Sequence, residues 1–153
     1  MEDLTFSHFN RESCRMHKEE DGLYHRLARR FGLSDSAFWI LYALEDATQS
    51  LTQTELCGYL SLSKQTINSG LKQLEQDGYI RLAGGRGRRK YLQLSESGKE
   101  LVSHTVRLVI AAEERAFLGM TREERGQLLA LEHKYLSQLF QESEQIFKLS
   151  QGE

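Results

Sequence analysis

Leu62-Ser63-Lys64-Gln65-Thr66-Ile67-Asn68-Ser69-Gly70-Leu71-Lys72-Gln73-Leu74-Glu75-Gln76-Asp77-Gly78-Tyr79-Ile80 is the stretch whose reading decides the fold. Ile67, Leu71 and Leu74 fall at i, i+4 and i+7, so a helix stacks them on one inward stripe. Ser63 precedes the run as an N-cap, its hydroxyl available to a free backbone N–H of the first turn. The helix is expected to run to about Asp77 and stop at Gly78, because glycine takes the left-handed conformation that closes a helix. The face opposite the stripe holds Gln65, Ser69, Lys72 and Gln76, with Lys64, Thr66 and Asn68 on its flanks.

Upstream, Thr52 and Glu55 have the Thr-x-x-Glu spacing of a capping box, in which each side chain satisfies a backbone N–H of the helix start. Leu56 and Leu60 then mark the inner face of a short helix, and Ser61-Leu62-Ser63 is the turn into the next. Downstream, Tyr79-Ile80-Arg81-Leu82 and Lys90-Tyr91-Leu92-Gln93-Leu94 each alternate polar with apolar residues, the period of a strand. Three glycines, Gly84, Gly85 and Gly87, allow a tight turn between them. Two helices joined by a short turn and followed by a hairpin make a winged helix-turn-helix.

The rest of the chain reads as helix. Met16, Leu23, Leu27 and Phe31 are helically spaced, with Gly32 as a stop. Ser34 or Asp35 caps an apolar run from Ala37 to Leu44, which is buried on most sides. Ser95 is expected to cap one long helix to about Leu118, broken at Gly119. Thr121 and Glu124 form a second capping box ahead of a last helix. The fold class is therefore mainly α with a small β-hairpin wing. The expected division is 1–33 as an N-terminal dimerisation helix, 34–95 as the winged lobe, and 96–153 as long helices completing one intertwined dimerisation region.

Length and composition fit this. The 153 residues are 39% hydrophobic and 27% charged, enough for a real core and unlike a disordered tail. No proline interrupts the helices. No run approaches the roughly 20 apolar residues of a membrane span, and Met1-Glu2-Asp3 is acidic where a secretory signal is basic, so a soluble cytoplasmic protein is expected. Net charge is −2, but Lys64 to Lys90 carries seven cations and two anions, a local +5 that leaves −7 for the remainder. A basic block in an acidic chain is the footprint of a nucleic-acid contact, or else a solvated charged loop.

The residue types favour the nucleic acid. Gln and Asn pair with adenine, Lys reaches guanine or phosphate, and Ser and Thr bond either. Ser63, Lys64, Gln65, Thr66, Asn68, Ser69 and Lys72 are thus the expected contacts of the reading helix. Its N-terminal N–H groups also suit a phosphate. Arg86, Arg88, Arg89 and Lys90 crowd the wing, where an anionic partner relieves their mutual repulsion and arginine can enter a minor groove.

These segments carry a family resemblance. The Leu62–Ile80 run resembles the recognition helix of MarR-family transcriptional regulators. Leu92-Gln93-Leu94-Ser95-Glu96-Ser97-Gly98 resembles that family's strand-to-helix junction, and Glu113-Glu114-Arg115-Ala116-Phe117-Leu118-Gly119-Met120-Thr121 its entry into the final helix. The likeness spans about Gly32 to Leu139. In one departure, Gly87 precedes Arg88 where many members have an acidic residue that positions the wing arginine.

The resemblance implies a homodimer, formed by interlocked first and last helices, that represses from an inverted-repeat site in double-stranded DNA. Its two reading helices would lie about 34 Å apart. The chain ends agree: Phe6, Phe9, Leu136, Leu139, Phe140, Ile146, Phe147 and Leu149 are many large apolar groups, which a partner subunit, or packing back on the same domain, would bury. The resemblance also implies a small aromatic or phenolic effector, with Met16, His17, Tyr24, Trp39 and Tyr42 as its expected contacts or else as core or dimer contacts.

Other functions have less support. There is no nucleophile elbow, P-loop or metal-binding histidine pattern, so neither an enzyme nor a cofactor or metal site is expected. Cys14 and Cys57 form no CxxC pair. Cys14 lies near Arg11, Arg15 and Lys18, which leaves a thiol-based redox sensor open beside an idle cysteine. Cys57 reads as packing. A winged-helix architectural or protein-interaction module also remains open, since fold alone does not settle function.

Overall fold

The computed structural model describes residues 4–84 and 89–149. Helix α1 spans Phe6–Arg30, starting well ahead of Met16, the first residue of its apolar spacing, because the Thr5 hydroxyl caps it by accepting from His8 N–H. It closes at Gly32, whose φ of +72° lets the N–H of Leu33 reach back to Ala28 O (2.9 Å). Helix α2, Asp35–Asp46, starts at Ser34, whose hydroxyl accepts from Ala37 N–H (3.2 Å). His25 of α1 bonds both carboxylate oxygens of Asp35 at 2.9 Å, tying the two helices at that corner.

Helix α3, Gln53–Tyr59, carries the expected capping box: Glu55 accepts from Thr52 N–H (2.7 Å) and Thr52 from Glu55 N–H (3.2 Å). Tyr59 donates its hydroxyl to Asp46, linking α3 back to α2. Helix α4, Lys64–Gln76, begins at Ser63 and ends, as α1 does, at a left-handed glycine, Gly78 (φ +78°). Strands β1, Ile80–Gly84, and β2, Lys90–Leu94, pair antiparallel with Ile80 opposite Leu94 and Gly84 opposite Lys90. The loop before α3 joins them, Leu51 O accepting from Leu92 N–H at 2.8 Å.

The expected long helix after the wing is instead two. Helix α5 spans Glu96–Ser103 and α6 spans Val106–Leu118. The break falls at His104-Thr105, where hydroxyls compete for helix carbonyls: Ser103 Oγ donates to Glu100 O and Thr105 Oγ1 to Leu101 O, both at 2.7 Å. Thr105 is buried between the fully buried Val102 and Val106, so packing holds the bend in place. Helix α7, Arg122–Leu149, starts from the Thr121–Glu124 box, in which Glu124 accepts from Thr121 N–H at 2.7 Å.

The chain forms two compact units that meet in sequence between Val109 and Ile110. The first holds the core. Phe38, Ile40, Leu41, Leu56, Ile67, Leu74, Val102 and Val106 are fully buried, so α2, α3, α4 and α5 close on one apolar centre. The second contains the rest of α6 and all of α7. There Arg125 sits 5.1 Å over the Phe117 ring, and no residue of α7 is buried.

Candidate nucleic-acid interface

Helix α4 owes its position to an absence of side chain. Its inward stripe is Ile67, Gly70, Leu71 and Leu74. A Cβ on Gly70 would come 2.7 Å from Ile40 Cδ1 and 3.2 Å from Ser36 Oγ of α2. Only glycine lets the two helices approach this closely. The three stripe residues named from spacing are there; Gly70 joins them, unmarked by apolar spacing although a glycine three residues after Ile67 falls on the same face.

With that stripe buried, Ser63, Lys64, Gln65, Thr66, Asn68, Ser69 and Lys72 are all exposed on one side of the lobe. They are not equally available. Ser63 and Thr66 share a hydroxyl contact of 2.7 Å, and Ser63 accepts from Thr66 N–H (3.1 Å), so both are engaged in starting the helix. The Asn68 carboxamide oxygen accepts from Gln53 Nε2 at the first turn of α3. Nothing in the sequence pattern marked Gln53, which acts across the turn rather than along a helix.

The wing stands beside α3. Arg89 and Lys90 are exposed and line, with Thr52, Gln53, Thr54 and Glu55, an open groove of about 400 Å³. The Thr52 backbone N–H, then the Thr52 hydroxyl, and more weakly nearby Arg89 hold the Glu55 carboxyl below the ordinary range. Arg86 and Arg88 lie outside the described residues. The wing's base is anchored on its other side. Ser95 and Ser97 both donate to Gly78 O, at 2.5 and 3.0 Å, and Ser95 N–H to Tyr79 O at 2.9 Å. A Cβ on buried Gly98 would fall 2.0 Å from Tyr79 O. The Ser95–Gly98 junction therefore locks the end of α4, the start of β1 and the start of α5 together.

Of the expected effector contacts, three come together. Tyr24 lies 4.8 Å from Trp39 between ring centroids, and Trp39 5.4 Å from Tyr42, all half-buried beside Phe38. Met16 and His17 are exposed, about two turns earlier on α1, roughly 12 Å along the axis from Tyr24. A hollow of about 500 Å³ lies elsewhere, lined by the 47–51 loop, Arg81, β2 and Lys99, and none of the five residues lines it. Cys14 is exposed and Cys57 half-buried. The cation next to Cys14 is already paired, Arg15 lying 2.7 Å from Glu12 and 3.6 Å from Glu19. Among the described residues no group of three or more His, Cys, Asp or Glu is placed to hold a metal.

The MarR family model matches residues 31–90, from the end of α1 to the first residue of β2. Among solved structures the chain is similar to NMB1585, a MarR family regulator from Neisseria meningitidis, at 23% identity over 88% of this chain and 94% of that one, with a TM-score of 0.65. It is similar to Staphylococcus aureus MepR in its DNA complex, at 24% identity over 90% and 99%, TM-score 0.61. It is also similar to Bordetella bronchiseptica BpsR, whose DNA binding is regulated by 6-hydroxynicotinic acid, at 18% identity over 88% and 99%, TM-score 0.61. At these identities the likeness establishes the fold. No curated protein matches the chain in sequence.

Proposed function

We propose that this chain, whose residues 31–90 match the MarR family model, is a sequence-specific, double-stranded DNA-binding transcription regulator. It acts as a homodimeric repressor on an inverted-repeat operator and is released by a small aromatic or phenolic effector. The observation that carries this reading is the exposed polar face of α4, with a basic wing base beside the neighbouring α3. A buried apolar stripe fixes the helix while amide, hydroxyl and ammonium groups face outward, which is the chemistry of base edges and phosphates. S. aureus MepR, of the same fold, forms a DNA complex.

The homodimer is supported by α7. It leaves Leu136, Leu139, Phe140 and Ile146 exposed and buries none of its residues. A second subunit provides the apolar surface they need. In this reading residues 34–95 contact DNA, and 1–33 with 96–153 hold the two subunits together. The effector is supported by the Tyr24–Trp39–Tyr42 cluster, whose faces suit an aromatic ring, and by the regulation of BpsR by 6-hydroxynicotinic acid. No helix among the described residues is long and apolar enough to cross a membrane, and the proposed site of action is the cytoplasm, with the DNA.

The experiment is duplex binding as a function of salt. Affinity should fall steeply as salt rises, by counterion release, and the Arg86→Ala/Arg88→Ala/Arg89→Ala variant should bind every sequence more weakly, with a shallower salt dependence. Unchanged binding by the triple variant would remove the wing from the interface.

A further inference from the structure

We propose that Gln53 is a positioning residue that sets which bases Asn68 reads. This rests on α4 being the reading helix and adds a specificity rule to it. Gln53 is the first residue of α3 and half-buried; Asn68 is the fifth residue of α4 and exposed. Gln53 Nε2 donates to Asn68 Oδ1 across the turn between the helices. Both residues also line a small hollow of about 140 Å³, shared with Leu71 and Lys72 of α4 and with the start of β1. The amide of Asn68 is thereby held at the seam of two helices instead of turning freely.

A free asparagine offers one acceptor and two donors, and pairs with adenine by accepting from N6 while donating to N7. Here the acceptor oxygen is turned toward α3, and one of its two lone pairs is taken by Gln53. What remains for the groove is the Nδ2 donor pair. A donor-only side chain favours base edges that present acceptors: guanine, with O6 and N7, or thymine, with O4. It disfavours cytosine, whose major-groove edge presents the N4 donor, and it gains nothing from the adenine N6 amino group.

The test is selection of bound duplexes from a random pool by the full-length protein and its Gln53→Ala, Gln53→Glu and Asn68→Ala variants. Thermal melting checks that each variant is folded. The wild type should enrich guanine or thymine at one position in each half-site, and Asn68→Ala should lose that preference and no other. Gln53→Ala frees Oδ1, so adenine should rise there by about fivefold or more, the lower end of what a base contact discriminates. Gln53→Glu accepts from Nδ2 and turns the amide over, so cytosine or adenine should replace guanine or thymine. The proposal is overturned if both Gln53 variants keep the wild-type preference at every position. It is equally overturned if Gln53→Ala weakens all sequences alike, as a plain phosphate contact would, or if the wild type already selects adenine there. A wild type that retains no duplex at low salt defeats the reading-helix assignment itself, and that outcome is distinct from a folded, selective protein indifferent to Gln53.

Discussion

Replacing Gly98 by alanine should destabilise the protein by about 3–5 kcal/mol, a large share of the roughly 5–15 kcal/mol that holds an ordinary domain folded. The new Cβ would fall 2.0 Å from Tyr79 O and 2.9 Å from Tyr79 C, both backbone atoms with no rotamer to change. The first turn of α5 and the start of β1 must then separate by more than about 1 Å in a region packed at interior density. Overpacking of this kind costs about 1–3 kcal/mol. Separation also breaks Ser95 N–H to Tyr79 O and strains the two serine contacts to Gly78 O, each worth about 1 kcal/mol. The assay is urea unfolding at fixed protein concentration, with a melting temperature expected to drop by roughly 10 °C. Gly58→Ala is the control. It sits exposed in α3 with nothing within 4 Å of the added methyl, so it should gain about 0.5–1 kcal/mol from helix propensity. A Gly98→Ala protein within 0.5 kcal/mol of the parent would refute the close approach, and with it the account of how the wing is anchored.

Gly70→Ala meets side-chain atoms instead of backbone and should cost about 1–3 kcal/mol; as α4 shifts outward, duplex affinity should fall further than stability does, measured by binding and melting on the same sample. The capping carboxylates Glu55 and Glu124 are both held low, first by the backbone N–H of Thr52 and Thr121 respectively. Their folded-state values lie below the unfolded ones, so their contribution is complete above the ordinary glutamate range and is lost as pH falls through the folded values. Glu55→Gln/Glu124→Gln should therefore flatten the stability profile on the acid side, read from melts between about pH 3 and 7. Leu136→Glu/Leu139→Glu places charges on the apolar side of α7 and should convert the proposed dimer to monomer in sedimentation, with the first unit still folded.

Helix starts were legible because each is written in a few adjacent residues. Thr52-x-x-Glu55, Ser63, Ser95 and Thr121-x-x-Glu124 all cap where their spacing places them. The inward stripe of α4 was legible for the same reason, since i, i+4, i+7 is a local pattern. The break at His104-Thr105 was not, because a Ser-His-Thr step in a helix is decided by hydroxyls that reach back to carbonyls and by burial of Thr105. Neither pattern predicts the outcome of that competition. At the interface, the outward residues of α4 could be named, but Gln53 could not. Its role depends on a contact across 15 positions of sequence. Gly70 and Gly98 are defined by which atoms of α2 and of Tyr79 stand opposite, and that is tertiary information. The effector residues show the same limit: Tyr24, Trp39 and Tyr42 meet because α1 folds onto α2, whereas Met16 and His17 lie farther along α1.

On the proposed function, the outward face of α4 reads duplex DNA. The direct measurement is recovery of bound duplexes from a random pool by the unmodified protein at low ionic strength, without added effector. The expected result is an inverted repeat with half-sites about one helical turn apart, and loss of its consensus when Gln65→Ala and Asn68→Ala are combined. Recovery of no duplex at all, or of duplexes whose consensus survives that double change, would contradict it.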